Sequence, residues 1–213
     1  MPLSAAELLT QADSAGQANQ ADEARRLLRQ ARLAASREGS LQLLSAVMRR
    51  EASLLDPGER GPILAEAARL ARRAGDSVGE VEALEDLSRE FASTNRAGVA
   101  VALLGRCTEI QRTRRDKAGM VRAILLAGRV LVEAWGKDRE VPAGMVMLLW
   151  SEDAARVVDE GLARMIRGYL EGFQYTLSPA EFAEVEPFLE LDRMAVIDAT
   201  FARYMAEHQA ELP

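Results

Sequence analysis

Cysteine and histidine are almost missing from this chain, which holds one of each among its 213 residues. A zinc site built from those residue types, a redox Cys-x-x-Cys pair and a disulfide within the chain are thereby excluded. Aromatic residues make up only 5%, and clusters of β-branched residues are scarce, whereas Ala and Leu recur throughout. That balance favours helices over sheets. No long hydrophobic run exists: the longest apolar stretch, residues 141–150, is about half of what a membrane-spanning helix needs. The first ten residues carry Glu7 and no basic segment, so no secretory leader is expected and a cytoplasmic location is the default.

Lysine is also rare; 25 of the 27 cations are arginine. Net charge is −6, spread unevenly: residues 1–135 carry +2 and residues 136–213 carry −8. An acidic chain without a dense basic stripe is a poor ligand for nucleic acid, so neither nucleic acid nor membrane is expected as a partner. At this length a single compact body buries about 70% of its unfolded surface, enough for a core without staples.

What is present is helical periodicity. Ser4 and Glu7 form a capping-box pattern, in which the serine oxygen accepts from the free amides of the first turn and the glutamate reaches back. Leu8, Ala12 and Ala15 follow at helical spacing, then Ala24, Leu28 and Ala31 after a polar break. Helices of about 12–18 residues continue, separated by short breaks near Gly39, Asp56 to Gly58, Gly75, Asn95, Arg115 and Gly136, with no alternating stretch. The pairs repeat. Asp76 and Gly79 precede Asp116 and Gly119 by 40 residues, and each set opens a new pair. At the same offset Leu44, Leu84 and Ile124 correspond, as do Val47, Leu87 and Ala127, Leu64 and Leu104, and Ala67 and Cys107. Two helices per unit at a fixed period of this length mark a helical solenoid, whose units cover each other's apolar faces.

Between Gly79 and Arg115, Leu84, Leu87, Ser88 and Phe91 on a first helix and Ala100, Leu104 and Cys107 on a second resemble a tetratricopeptide repeat of long period. The resemblance covers residues 4–156 as four units, near 4–39, 40–76, 77–116 and 117–156. The expected fold is therefore all-α: a right-handed α-solenoid of antiparallel helix pairs. Residues 157–213 do not repeat and are expected to form capping or interaction helices. There Ala154, Ala155, Val158, Leu162, Met165, Ile166, Tyr169, Leu170 and Phe173 read as the apolar face of one long helix. Ser178, Pro179 and Glu181 start the next, and Phe188, Leu191, Met194, Ile197, Phe201 and Tyr204 lie on the last.

Catalytic constellations are few. No phosphate-binding Gly-x-x-x-x-Gly-Lys-Ser/Thr run occurs, and any nucleophile would have to rely on His208, near a polar helix end. Cys107 reads as a buried core thiol. The acid groups Glu82, Glu85 and Asp86, or Glu181, Glu184 and Glu186, lack a supporting histidine. No enzyme, cofactor or metal is expected. The sharpest pattern is a ladder: Arg49, Arg89 and Arg129 stand 40 and 40 apart. In the family resembled, first helices line a concave groove, which implies that these arginines project into it about 10 Å apart. Three guanidinium forks in a row suit carboxylates of an acidic peptide, with Gln42, Ser45, Glu82, Glu85, Arg122 and Leu125 flanking them. Against this, Arg89 has Glu85 one turn back and Arg129 has Glu133 one turn on, so self-pairing is the competing reading. The leading expectation is a non-enzymatic scaffold or adaptor that binds an acidic peptide or protein segment. The alternatives are a module that self-assembles through its C-terminal helices and a regulatory receptor responding to a small ligand or peptide.

Overall fold

A computed structural model describes residues 3–136 and 139–213. The described chain is all-helical, with no strand, and divides into two compact units, one running to Glu90 and the other from Phe91 to Leu212.

The first unit contains α1 (Ala5–Gln17), α2 (Ala21–Glu38), α3 (Leu41–Ser53), α4 (Arg60–Arg73) and most of α5 (Ser77–Ser93). Consecutive helices pack as neighbours, α1 on α2, α2 on α3 and α3 on α4, as an all-α solenoid requires. The expected capping box forms: the Ser4 hydroxyl accepts from Glu7 N at 3.3 Å while Glu7 accepts from Ser4 N at 2.8 Å. Leu8, Ala12, Ala15, Ala24, Leu28 and Ala31 are buried in one cluster with Val47. These are the apolar positions that the 3.6-residue period selects.

In the second unit α6 (Ala97–Arg114), α7 (Lys117–Glu133), α8 (Val141–Val158) and α9 (Glu160–Gln174) again pack in succession. A short α10 (Pro179–Val185) and a 3-10 turn (Glu186–Phe188) lead to α11 (Arg193–Glu207). The expected single helix through residues 154–173 is instead two, because Asp159 is extended (φ −157°, ψ 104°) and caps α9 by accepting from Leu162 N. Ala155, Ala163, Ile166 and Leu170 are buried in one cluster, whereas Val157 and Met165 are exposed. Glu152 ties the two helices together, accepting from Arg156 at 2.7 Å and from Arg167 on α9 at 2.8 Å.

The repeated Asp-x-x-Gly sequence has a direct physical reason. Asp76 and Asp116 each accept from the backbone amide of the glycine three residues on, at 2.9 Å in both cases. A Cβ on Gly79 would lie 2.5 Å from the Asp76 carboxylate, and one on Gly119 would lie 2.8 Å from that of Asp116. Of the repeated apolar positions, Val47, Leu64, Ala67, Leu84, Leu87, Leu104, Cys107, Ile124 and Ala127 are buried, and Leu44 is half-buried.

Residues 157–213 do more than cover the end of a stack. The last helix, α11, returns to pack on α6 as well as on α8. Residues 97–105 of α6 are all small or apolar and are buried on every side. Two glycines seven residues apart on α6 receive two rings seven residues apart, Phe201 on α11 and His208 at its C-terminal cap, in antiparallel order. A Cβ on Gly98 would lie 2.5 Å from His208 Nε2, and one on Gly105 would lie 3.0 Å from Phe201 Cδ1. Ile197, Phe201 and Tyr204 then join Ala97, Val101 and Leu104 in one core.

Gly105→Ala should therefore lower stability by about 1–3 kcal/mol, since the added methyl must displace a packed ring. Gly168→Ala, on α9 with nothing within 4 Å of the new methyl, should raise it by about 0.5–1 kcal/mol. Urea unfolding of both variants beside the parent checks the pair.

Candidate interaction surface

Arg49, on α3, is largely buried, with 14% of its side chain exposed. Its Nε and Nη2 donate to Asp86 Oδ2 on α5, both at 3.1 Å, and its Nη1 pairs with Glu82. The other Asp86 oxygen accepts from Arg89 Nη1 at 2.7 Å, and Arg89 Nη2 reaches Glu85 at 3.4 Å. The result is an alternating row, Glu82–Arg49–Asp86–Arg89–Glu85, in which Asp86 gives one oxygen to each arginine. Two cations and three carboxylates leave the row with a formal charge of −1. Arg49 is the anchor, because its partly buried pairs escape much of the solvent screening that weakens those of Arg89, 55% exposed.

Arg129 lies on α7 in the second unit. Its Nε and Nη2 donate to Glu133 Oε1 at 3.2 and 3.1 Å, and its guanidinium carbon stands 5.1 Å from the centre of the Tyr169 ring. Tyr169 also donates to Glu133 Oε1, at 2.6 Å, and stacks on Phe173 with ring centres 6.2 Å apart. Burial, reinforced by the Glu133 carboxylate, pushes the Tyr169 phenol well above its ordinary value. All three ladder arginines are thus ion-paired within the chain.

The flanking residues divide. Gln42, Glu82 and Arg122 are exposed. Ser45 is buried, donating its hydroxyl to the Ala67 carbonyl at 2.8 Å, and Leu125 is buried in a cluster with Val121, Met145 and Ile166. Neither of these two presents a side chain to a surface ligand. The pairs one turn apart, Arg89 with Glu85 and Arg129 with Glu133, were visible in the sequence. The partners of Arg49 were not: Glu82 and Asp86 are 33 and 37 residues away.

Among the described residues no group of three His, Cys, Asp or Glu side chains is placed to hold a metal ion. No described helix is long and apolar enough to cross a membrane. His208 is not a frayed, solvated group; it sits over Gly98, with Nδ1 2.9 Å from Glu211. Of the second acid group, Glu181 closes the cap of α10, where the Ser178 amide and hydroxyl, then Arg139, hold its carboxyl down to about 2. No family model matches the chain, and no curated protein matches it in sequence.

A carboxyl whose value is depressed on folding stabilises above its unfolded value, near 4.5, and loses that contribution as pH falls toward 2. Glu181→Gln should accordingly melt earlier than the parent at pH 6, and the gap should close on acidification to pH 2. Thermal unfolding followed by circular dichroism at a series of pH values reads it.

Proposed function

We propose that the chain is a non-enzymatic scaffold or adaptor that holds a carboxylate-bearing protein segment on the α3/α5 face. The observation that carries this reading is the shared Asp86, which keeps the guanidinium forks of Arg49 and Arg89 side by side on one surface. Successive packing of helices within each unit, the 40-residue repetition and the resemblance to tetratricopeptide repeats support the same reading. Binding proceeds by exchange. Incoming carboxylates take the places of Glu82 on Arg49 and Glu85 on Arg89, so the affinity is the difference between two sets of ion pairs and falls with salt. Glu85 ends this row beside Arg89, Gln42 is exposed on α3, and Arg122 and Arg129 give the second unit its own exposed cations.

The exchange makes a directional prediction. Glu82→Gln removes an internal competitor while Asp86 still spaces the forks, and should tighten binding of a fluorescent glutamate-rich peptide about fivefold. Arg49→Gln with Arg89→Gln should abolish binding at matched helicity. Equal anisotropy titrations for parent and both variants would overturn the proposal.

A second reading, self-assembly through the C-terminal part, is favoured by the large side chains that the second unit leaves in solvent. Trp135 is 81% exposed and Tyr175 is 92% exposed, and Val157, Met165 and Phe182 are exposed as well. Sedimentation equilibrium should then show a dimer or larger species that Trp135→Ser with Tyr175→Ser disperses. A monomer at high concentration rules this reading out.

A further inference from the structure

In the first unit, a cavity of about 340 Å³ opens among α2, the end of α3 and the start of α4. It lies within the size range of small-ligand sites, and it is independent of the α3/α5 charge row. Its floor is aliphatic: Leu28 from α2, Leu54 and Leu55 just past α3, and Ile63 from α4. Its rim is cationic. Arg25, Arg29 and Arg32 stand four and three residues apart, which sets them along one face of α2.

The three arginines are not equally occupied. Arg32 pairs with Glu51 at 3.1 Å. Arg25 is held loosely, with Asp22 at 3.3 Å and the Leu54 carbonyl at 3.5 Å. Arg29 makes no hydrogen bond or ion pair among the described residues. Glu51 lies on the same wall with 17% of its side chain exposed. Its burial raises its carboxyl above the usual range even though Arg32 faces it and Arg29 stands near. The rim sets three arginines against this one glutamate.

We propose that this cavity binds an aliphatic carboxylate, with its chain on Leu28, Leu54, Leu55 and Ile63 and its head group between Arg25 and Arg29. A guanidinium without a hydrogen bond or ion pair beside an aliphatic floor matches a ligand that is anionic at one end and apolar along its length. Neither half suffices alone: a purely apolar ligand leaves Arg29 unpaired, and a small anion leaves the floor uncovered. The same chemistry has two sources, a free medium-chain fatty acid or the terminal carboxylate of a peptide ending in leucine.

The test is isothermal titration with butanoate, hexanoate and octanoate, with octanol as the uncharged counterpart. A pair of short peptides ending in leucine, one free acid and one amide, separates the two sources. Each added pair of methylenes should tighten binding about tenfold. Octanol should bind at least tenfold more weakly than octanoate, and Arg29→Gln should cost about tenfold. Glu51→Gln, which removes the resident carboxylate and releases Arg32, should tighten binding. The Ile63 methyl resonance should move on saturation. Equal affinity for octanol and octanoate, an Ile63 methyl that does not shift, or no binding of fatty acid or free-acid peptide by parent and Glu51→Gln would each overturn the proposal.

Discussion

A helix of 13 to 18 residues, the length of α1 to α9 and of α11, is marginal alone in water. Covering its apolar stripe with a neighbour is therefore the condition for each of these helices to exist. The first unit meets that condition in order along the chain from α1 to α4, where α1 packs on α2, α2 on α3 and α3 on α4. The second unit begins in the same way and then departs from it: residues 97–105 of α6 are small or apolar all round, and α7 on one flank does not cover them. The return of α11 supplies the missing cover.

That departure marks the boundary of what could be read from the sequence. Periodicity identifies which face of a helix is buried, and it placed Leu84, Leu87, Ile124 and Ala127 in the core correctly. Boundaries with a chemical signature were equally legible, because the caps at Ser4, Asp76, Asp116 and Ser178 depend on residues only three positions apart. Periodicity does not say what covers a face. The seating of Phe201 on Gly105 and of His208 on Gly98 joins segments about a hundred residues apart, and nothing local announces it. The break at Asp159 was hidden because the apolar positions on both sides happen to keep helical phase across it.

The arginine ladder shows the same limit in electrostatic form. Spacing of 40 residues located the three cations, and partners one turn away were predictable for two of them. Arg49 is the exception, and it is the more buried of the two arginines that share Asp86. Its two carboxylates come from the neighbouring helix, so the surface that looked like a run of positive charge carries its own counterions. A repeat therefore copies the positions of charged groups more faithfully than it copies their net field, which depends on side chains that the repeat leaves free to vary.

The paired seats on α6 also have a mechanical meaning. One ring in one hollow would let α11 pivot or slide by a turn and find another foothold. Two rings in two hollows at equal spacing remove both motions, because one turn along α6 the places of Gly98 and Gly105 are taken by residues with side chains, among them Ala102, Val101 and Glu109. Helix α11 is consequently indexed against α6 like a key cut for one position.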